Sequence, residues 1–198
     1  IGKVKLLDVE DGTPNAYVPF RRYLSRDVHK VCELAHAFET KLIRGFSFYH
    51  PRDTDARENL PQAVDQLGQI AEVCHRSDLT FGLELEANLV GHTGQLLAEI
   101  HRQVNHPALV LVFDAGNLVA QGCTAAEVFA EYLAMKRGLG WLHIKDYRHP
   151  PGPVVRQDHV DEEALKHFVP ADLGDSATAQ ASGGNQNGTG EAGEPDHA

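Results

Sequence analysis

The 198-residue chain lacks any apolar run near the roughly 18 residues that a membrane-spanning helix needs, which excludes an integral membrane protein. It has only three cysteines, Cys32, Cys74 and Cys123, and their wide spacing excludes a disulfide framework or a zinc knuckle. So few thiols are typical of a reducing compartment, and we predict a cytoplasmic location. Basic residues are also scarce, with 18 Lys and Arg against 28 Asp and Glu. The resulting net charge of −10 repels phosphate backbones and argues against a nucleic-acid partner.

Large apolar residues are missing from the end of the chain. Residues 176–198 contain no Val, Ile, Leu, Met, Phe, Trp or Tyr. Such a segment cannot bury enough apolar surface to offset the entropy lost on ordering, so a disordered tail is predicted there. The preceding residues, 1–175, have the mixed composition of a globular protein and are predicted to form one domain.

Short apolar runs alternate with amphipathic helical stretches along this domain. The runs, rich in β-branched and aromatic residues, occupy residues 4–9, 42–49, 79–86, 108–114 and 140–146. Strands and helices that alternate at intervals of about 30 residues indicate βα units and a parallel sheet. Both an open doubly wound sheet and a (β/α)₈ barrel are compatible with this pattern.

Three successive predicted strands end in residues that can bind a metal. These are Glu84, Asp114 and His143, separated by 30 and 29 residues, which is one βα unit each. Sites in both candidate folds lie at the carboxyl ends of the strands, and we expect the three side chains to converge there at equal depth. Two carboxylates and an imidazole suit Mn²⁺, Mg²⁺, Co²⁺ or Zn²⁺. Glu86 replaces Glu84 as a ligand if the strand register differs by one pleat.

Each of these residues also has a structural explanation. Glu84 could pair with a basic residue across the sheet, Asp114 could cap the following turn, and His143 could be an ordinary buried histidine. The shared position at three strand ends is what favours a metal site over three separate structural roles.

Six stretches of the chain resemble the xylose isomerase-like TIM-barrel family of sugar phosphate isomerases and epimerases. They are residues 1–3 (Ile-Gly-Lys), 42–49, 84–93 (beginning Glu-Leu-Glu and ending Gly-His-Thr), 113–117 (Phe-Asp-Ala-Gly-Asn), 143–146 (His-Ile-Lys-Asp) and 169–175 (Val-Pro-Ala-Asp-Leu-Gly-Asp). The resemblance implies a TIM-barrel-type (β/α) repeat with parallel strands.

The resemblance also assigns roles to residues. It implies that Glu84, Asp114 and His143 are metal ligands from barrel strands five, six and seven. It further implies that Lys145 and Asp146 support the metal ligands or bind substrate, and that Arg44 and Lys3 bind a phosphate or carboxylate group of the substrate. The family's fourth ligand, a Glu on strand eight, would fall after Asp175, where only the tail follows.

The missing ligand leads to two expectations. The chain is expected to be a truncated central portion, an incomplete barrel of about strands 3 or 4 to 7, and its open sheet edges favour self-association. It is also expected to bind metal weakly and to turn over poorly or not at all.

The function implied for the intact family is metal-dependent isomerisation or epimerisation of a sugar or sugar phosphate. Glu84 would remove a proton next to a carbonyl and form an enediolate, which the metal stabilises. One alternative is a metal-dependent phosphodiester hydrolase similar to endonuclease IV, although the negative net charge argues against it. The other alternative is a non-catalytic remnant of a barrel.

Overall fold

A parallel sheet of four strands forms the centre of the protein. The computed structural model describes residues 1–11, 15–52, 54–171 and 173–175. The strands lie in the order β1-β2-β3-β4, which is also their order along the chain. They comprise β1 (Leu42–Phe46), β2 (Thr80–Glu84), β3 (Leu109–Asp114) and β4 (Leu139–His143). This confirms the predicted βα repeat, and across the described residues the sheet remains an open arc rather than a closed barrel.

Helices connect the strands. In chain order they are α1 (Phe20–Arg22), which continues through a π-helical segment (Tyr23–Val28) into α2 (His29–Ala37), then α3 (Leu60–Arg76), α4 (Gly94–Val104), α5 (Ala115–Ala120) and α6 (Ala125–Met135). Two short antiparallel strands follow, β5 (Asp146–Tyr147) and β6 (Phe168–Val169). Among the described helices, none has both the length and the apolar character needed to cross a bilayer.

The alternating side chains of the strands divide the sheet into two faces. Phe81 and Leu83 of β2 are fully buried in the core, against the helices. Gly45 of β1 makes room for the Phe81 ring, because a Cβ at residue 45 would lie 2.5 Å from a ring carbon. Gly82 and Glu84 point to the opposite face, as the period-two alternation predicts. That face carries the candidate site.

The predicted strand at residues 4–9 is wrong. Pairing in this segment is limited to Lys5, which bridges Tyr17 and Tyr49. The Lys5 ammonium donates to the carbonyl of Val9 and to Asp11, and the backbone of Val4 and Leu6 bonds to Tyr49, which lies beyond the end of β1. The predicted disordered tail, residues 176–198, lies outside the described residues, as does Asp172.

The outer edge of β4 has no partner strand in the part of the chain that the structure describes. Trp141, Leu142 and Ile144 at this edge are 53%, 47% and 77% exposed. Unpaired edges with exposed apolar side chains favour association between chains. We therefore expect the protein to self-associate with rising concentration in sedimentation velocity, and a Leu142→Lys variant to remain monomeric.

A matched variant tests whether the effect belongs to this edge. Phe38 lies on the other side of the fold, after α2, and is 77% exposed. Phe38→Lys adds the same charge and should associate as the unsubstituted protein does. Equal behaviour of the two variants would contradict association through β4.

Candidate metal centre

Glu84, Asp114 and His143 are the last residues of β2, β3 and β4. Asp114 is level with His143, but Glu84 is level with Val112, two residues below Asp114. The expectation of equal depth was therefore wrong for Glu84, because parallel strands in barrel-type sheets are staggered against one another. The side chain of Glu84, one methylene longer than that of Asp114, compensates for part of this stagger.

The three side chains nevertheless meet. One ligand atom from each residue lies within 4.8 Å of the other two. Nδ1 of His143 is 2.8 Å from Oε1 of Glu84 and 3.6 Å from Oδ2 of Asp114. Glu84 and Asp114 are buried and His143 is half-buried. Two carboxylate oxygens and one imidazole nitrogen in such proximity form a donor set suited to Mn²⁺, Mg²⁺, Co²⁺ or Zn²⁺.

Glu86, the predicted substitute for Glu84, does not join this cluster. Its Oε2 pairs with Nζ of Lys3 at 3.0 Å, and both side chains are partly exposed. Lys3 also lies over the ring of Phe46, 4.7 Å from its centre. Of the two neighbouring carboxylates, Glu84 is the one that converges with Asp114 and His143.

Asp114 also caps the turn that follows it, and it does so with the carboxylate oxygen that does not face the cluster. Oδ1 accepts a hydrogen bond from the backbone N–H of Asn117 at 3.3 Å and caps the N-terminus of α5. Oδ2 faces the cluster, 3.2 Å from Nζ of Lys145. The cap fixes the orientation of the carboxylate, so that its second oxygen points into the site.

One oxygen of Glu84 and one of Asp114 are placed to bind a cation. Oε2 of Glu84 and Oδ2 of Asp114 are buried and accept no hydrogen bond of good geometry in the structure. Burial raises the pKa of Asp114 to about 6, and the charge of Glu84 adds to this rise while Lys145 opposes it. Two buried carboxylates this close repel each other, and a divalent cation between them would relieve that repulsion. The residues present therefore fit such an ion.

Two cations flank the acidic pair. Nε of Arg44 lies 3.1 Å from Oε2 of Glu84, and Arg44 projects from β1 on the same face as the cluster. Arg44 and Lys145 each lie over an aromatic ring, that of Phe46 at 4.6 Å and that of Phe168 at 3.9 Å. Sequence reasoning missed both rings. The two-residue spacing of Arg44 and Phe46, which puts them on one face of a strand, was the available signal for the first.

Asp146 lies outside the cluster. It is fully buried in β5, where its Oδ1 accepts a hydrogen bond from the N–H of Tyr147 at 2.7 Å. It also packs closely on Gly174, since a Cβ there would lie 2.2 Å from its carboxyl carbon. These two contacts are with the segment after β4, and the assignment of Asp146 as a substrate residue remains a prediction.

The loop that follows β2 is hydrogen-bonded to a second loop, which lies between β5 and β6. Asn88 has a left-handed backbone, with φ of 69°, and its N–H donates to the carbonyl of Asp158 at 2.9 Å. Its side chain both donates to the carbonyl of Val160 and accepts from the N–H of Val160, at 2.9 Å each. These three hydrogen bonds, between residues 70 or 72 positions apart, hold the second loop against the first. Sequence reasoning did not detect this contact.

Three histidines cluster where these loops meet. His50 is buried, with its ring centre 6.0 Å from that of His92 and 5.3 Å from that of His159. Burial is the main cause that lowers the pKa of His50, followed by the charges of His159 and His92, while Asp158 opposes them. Burial also lowers the pKa of His92. Burial thus disfavours the protonated forms of His50 and His92 in the folded protein.

This cluster predicts a pH dependence of stability. A histidine with a lowered pKa in the folded state favours folding above its unfolded pKa of 6.5, and this contribution is lost as pH falls below that value. We expect the free energy of unfolding, measured in urea, to fall between pH 7.5 and 5.5. A His50→Gln variant should show a shallower fall. In both proteins the raised pKa of Asp114 contributes a pH dependence of stability with the opposite sign. The difference between the two proteins therefore reports on His50. An identical change of the free energy of unfolding with pH in both would contradict the prediction.

The sequence of this chain matches the model of a known protein family. The family model described as Xylose isomerase-like TIM barrel matches residues 19–176. The chain belongs to this family. A comparison with curated protein sequences finds no match.

Members and relatives of the family with known structures share the fold. The probable 3-DHS dehydratase AsbF from Bacillus anthracis superposes with a TM-score of 0.63 at 16% identity, covering 90% of this chain and 63% of that one. A xylose isomerase-like TIM barrel protein from Mycobacterium smegmatis in complex with magnesium has a TM-score of 0.58 at 16% identity, covering 81% and 55%. The D-allulose 3-epimerase from Methylomonas sp. in complex with D-allulose has a TM-score of 0.50 at 20% identity, covering 64% and 46%. This chain thus spans 46% to 63% of the lengths of these three structures.

Proposed function

We propose that this chain carries the metal centre of a divalent-metal-dependent isomerase or epimerase that acts on a small sugar or sugar phosphate. The observation that carries the proposal is the convergence of Glu84, Asp114 and His143 with two buried carboxylate oxygens that accept no hydrogen bond. Membership of the family supports it, as does the presence of a sugar epimerase among the similar structures. The alternative of a multi-metal phosphodiesterase has less support, because one cluster of metal-ligating residues occurs in the described ranges.

Each residue receives a role from its surroundings. Glu84, Asp114 and His143 would hold the ion, which supplies a Lewis acid that stabilises negative charge on substrate oxygens. Glu84 would remove the proton from the carbon next to the carbonyl and give an enediolate, through Oε2, the oxygen that pairs with Arg44 rather than with His143. His143 holds the other oxygen through its 2.8 Å contact and so fixes the carboxylate for proton transfer. Arg44, Lys145 and Lys3 bind anionic parts of the substrate, and Asp146, which is buried in β5, remains a predicted substrate residue.

Exchange of substrate hydrogen for solvent deuterium tests this proposal. D-allulose is a suitable first substrate, because a similar structure holds it. In D₂O with saturating Mn²⁺, we expect deuterium to appear slowly at the carbon next to the carbonyl, as observed by NMR, since three protein ligands are expected to hold the ion weakly. Glu84→Gln should reduce the rate about 10²–10⁴-fold, the usual contribution of a general base.

The same samples separate the alternatives. Loss of water from the sugar would indicate a dehydratase, and cleavage of a duplex with an abasic site would indicate a hydrolase. If a panel of ketoses and ketose phosphates shows neither exchange nor isomerisation in the presence of bound metal, the chain is a non-catalytic part of a barrel and the proposal is wrong.

Domain organisation and location complete the proposal. We propose that residues 1–175 form one domain and that the protein is cytoplasmic. The three cysteines are free and buried, which suits a reducing compartment.

A further inference from the structure

Opposite charges balance one another in the candidate metal centre. Each buried carboxylate has one cation beside it, Arg44 at 3.1 Å from Glu84 and Lys145 at 3.2 Å from Asp114. Both contacts are ion pairs, and the attraction between opposite charges holds each cation beside its carboxylate. A divalent ion bound by the same two carboxylates would take over their negative charge, which leaves the two cations without a counter-charge.

Both cations have a second support that a metal would not disturb. Arg44 lies over the Phe46 ring and Lys145 over the Phe168 ring. Cation–π contacts hold a positive group in position without neutralising it. The side chain of Arg44 is also 47% exposed, so part of it is accessible to a ligand from solvent. A guanidinium that is held by a ring and open on one side is well suited to bind an oxyanion.

We propose that Arg44 and Lys145 form an oxyanion-binding pair that the metal-free site keeps neutralised with Glu84 and Asp114, so that a divalent ion and an anionic ligand bind cooperatively. This inference rests on the proposed function and specifies its substrate class. The ligand carries a carboxylate or a phosphate group. Because coupling between sites is reciprocal, the anion must tighten metal binding by the same factor with which the metal tightens anion binding.

Calorimetric titration with two probe anions tests the coupling. Sulfate represents a tetrahedral dianion and acetate a carboxylate, and each is titrated with and without saturating Mn²⁺. We expect Mn²⁺ to tighten binding of one of them about tenfold or more, within the usual range of coupling between sites. The probe with the larger gain indicates which of the two groups the substrate carries.

Variants locate the bound anion. Arg44→Gln and Lys145→Gln should each abolish most of the gain from Mn²⁺. Lys41→Gln is the matched control, because Lys41 is an exposed residue paired with Asp78 just before β1, at the opposite end of that strand. It should retain the whole gain. An anion that binds to the metal alone would keep its gain in Arg44→Gln and Lys145→Gln, and this result would overturn the inference.

A metal-free measurement separates this inference from the proposed function. Glu84→Gln removes the counter-charge of Arg44 without any ion, and Asp114→Asn does the same for Lys145 while it keeps an oxygen to cap α5. In the presence of chelator, either variant, if thermal denaturation shows it folded, should bind the probe about tenfold more tightly than the unsubstituted protein. If neither does, the inference is wrong. If they do but Mn²⁺ does not bind, the anion-binding pair stands and the proposed function fails.

Discussion

Asp114→Asn is expected to lower the affinity for Mn²⁺ by at least about a hundredfold. Loss of a supporting residue around a metal typically costs 10–100-fold, and loss of a ligand should cost no less. Asp114 is fully buried, and its Oδ2 faces the cluster and pairs with Nζ of Lys145 at 3.2 Å, so the variant loses this ion pair together with the metal ligand. The cap of α5 survives in the variant, because an Asn side chain also offers an oxygen to the N–H of Asn117. Titration followed by the electron paramagnetic resonance of free Mn²⁺ measures the change.

A matched control accounts for net charge. Asp65→Asn removes a carboxylate from the exposed face of α3, where it accepts a hydrogen bond from Gln69. It should leave Mn²⁺ affinity unchanged within about twofold, since exposed charges at a distance are screened by salt. Equal losses in the two variants would mean that Mn²⁺ binds non-specifically to an acidic surface rather than to Asp114.

Phe81→Ala is expected to destabilise the fold by about 3–5 kcal/mol, a large part of the stability of a typical domain. Phe81 lies in β2, three residues before Glu84, is 0% exposed and fills the space that Gly45 leaves open. Its removal leaves a cavity between the sheet and the helices. Urea denaturation followed by circular dichroism gives the free energy of unfolding.

Phe38→Ala is the comparison for this substitution. Phe38 is 77% exposed, so its truncation should change the free energy of unfolding by no more than about 0.5 kcal/mol. A loss of less than about 1 kcal/mol for Phe81→Ala would contradict the packing of β2 against the helices described above.

The sheet could be predicted from the sequence because its strands follow a simple rule. In β2, Phe81 and Leu83 alternate with Gly82 and Glu84, and the structure buries the first pair against the helices and turns the second pair to the other face. The same rule failed for residues 4–9, which have strand-like composition but pair only at Lys5. Composition indicates that a segment can form a strand, whereas pairing depends on a partner that composition does not reveal.

The candidate site was predictable in its residue types but not in its depth. Glu84 and Glu86 point to the same face, and only the register of β2 against β3 decides which one converges with Asp114. That register follows from the stagger of the strands, which cannot be inferred from a single sequence. Contacts between distant segments, such as Asn88 with Val160 and Lys145 with Phe168, were missed for the same reason.

Anomalous diffraction from crystals grown with Mn²⁺ is the most direct test of the central claim, that Glu84, Asp114 and His143 bind one divalent ion. We expect a single strong anomalous peak about 2.0–2.2 Å from one oxygen of each carboxylate and from a nitrogen of His143. The peak should be absent from crystals of Asp114→Asn grown under the same conditions. If the unsubstituted protein shows no peak between these residues, with Arg44 and Lys145 still paired to the two carboxylates at saturating Mn²⁺, the three residues form a structural ion-pair network and the account is wrong.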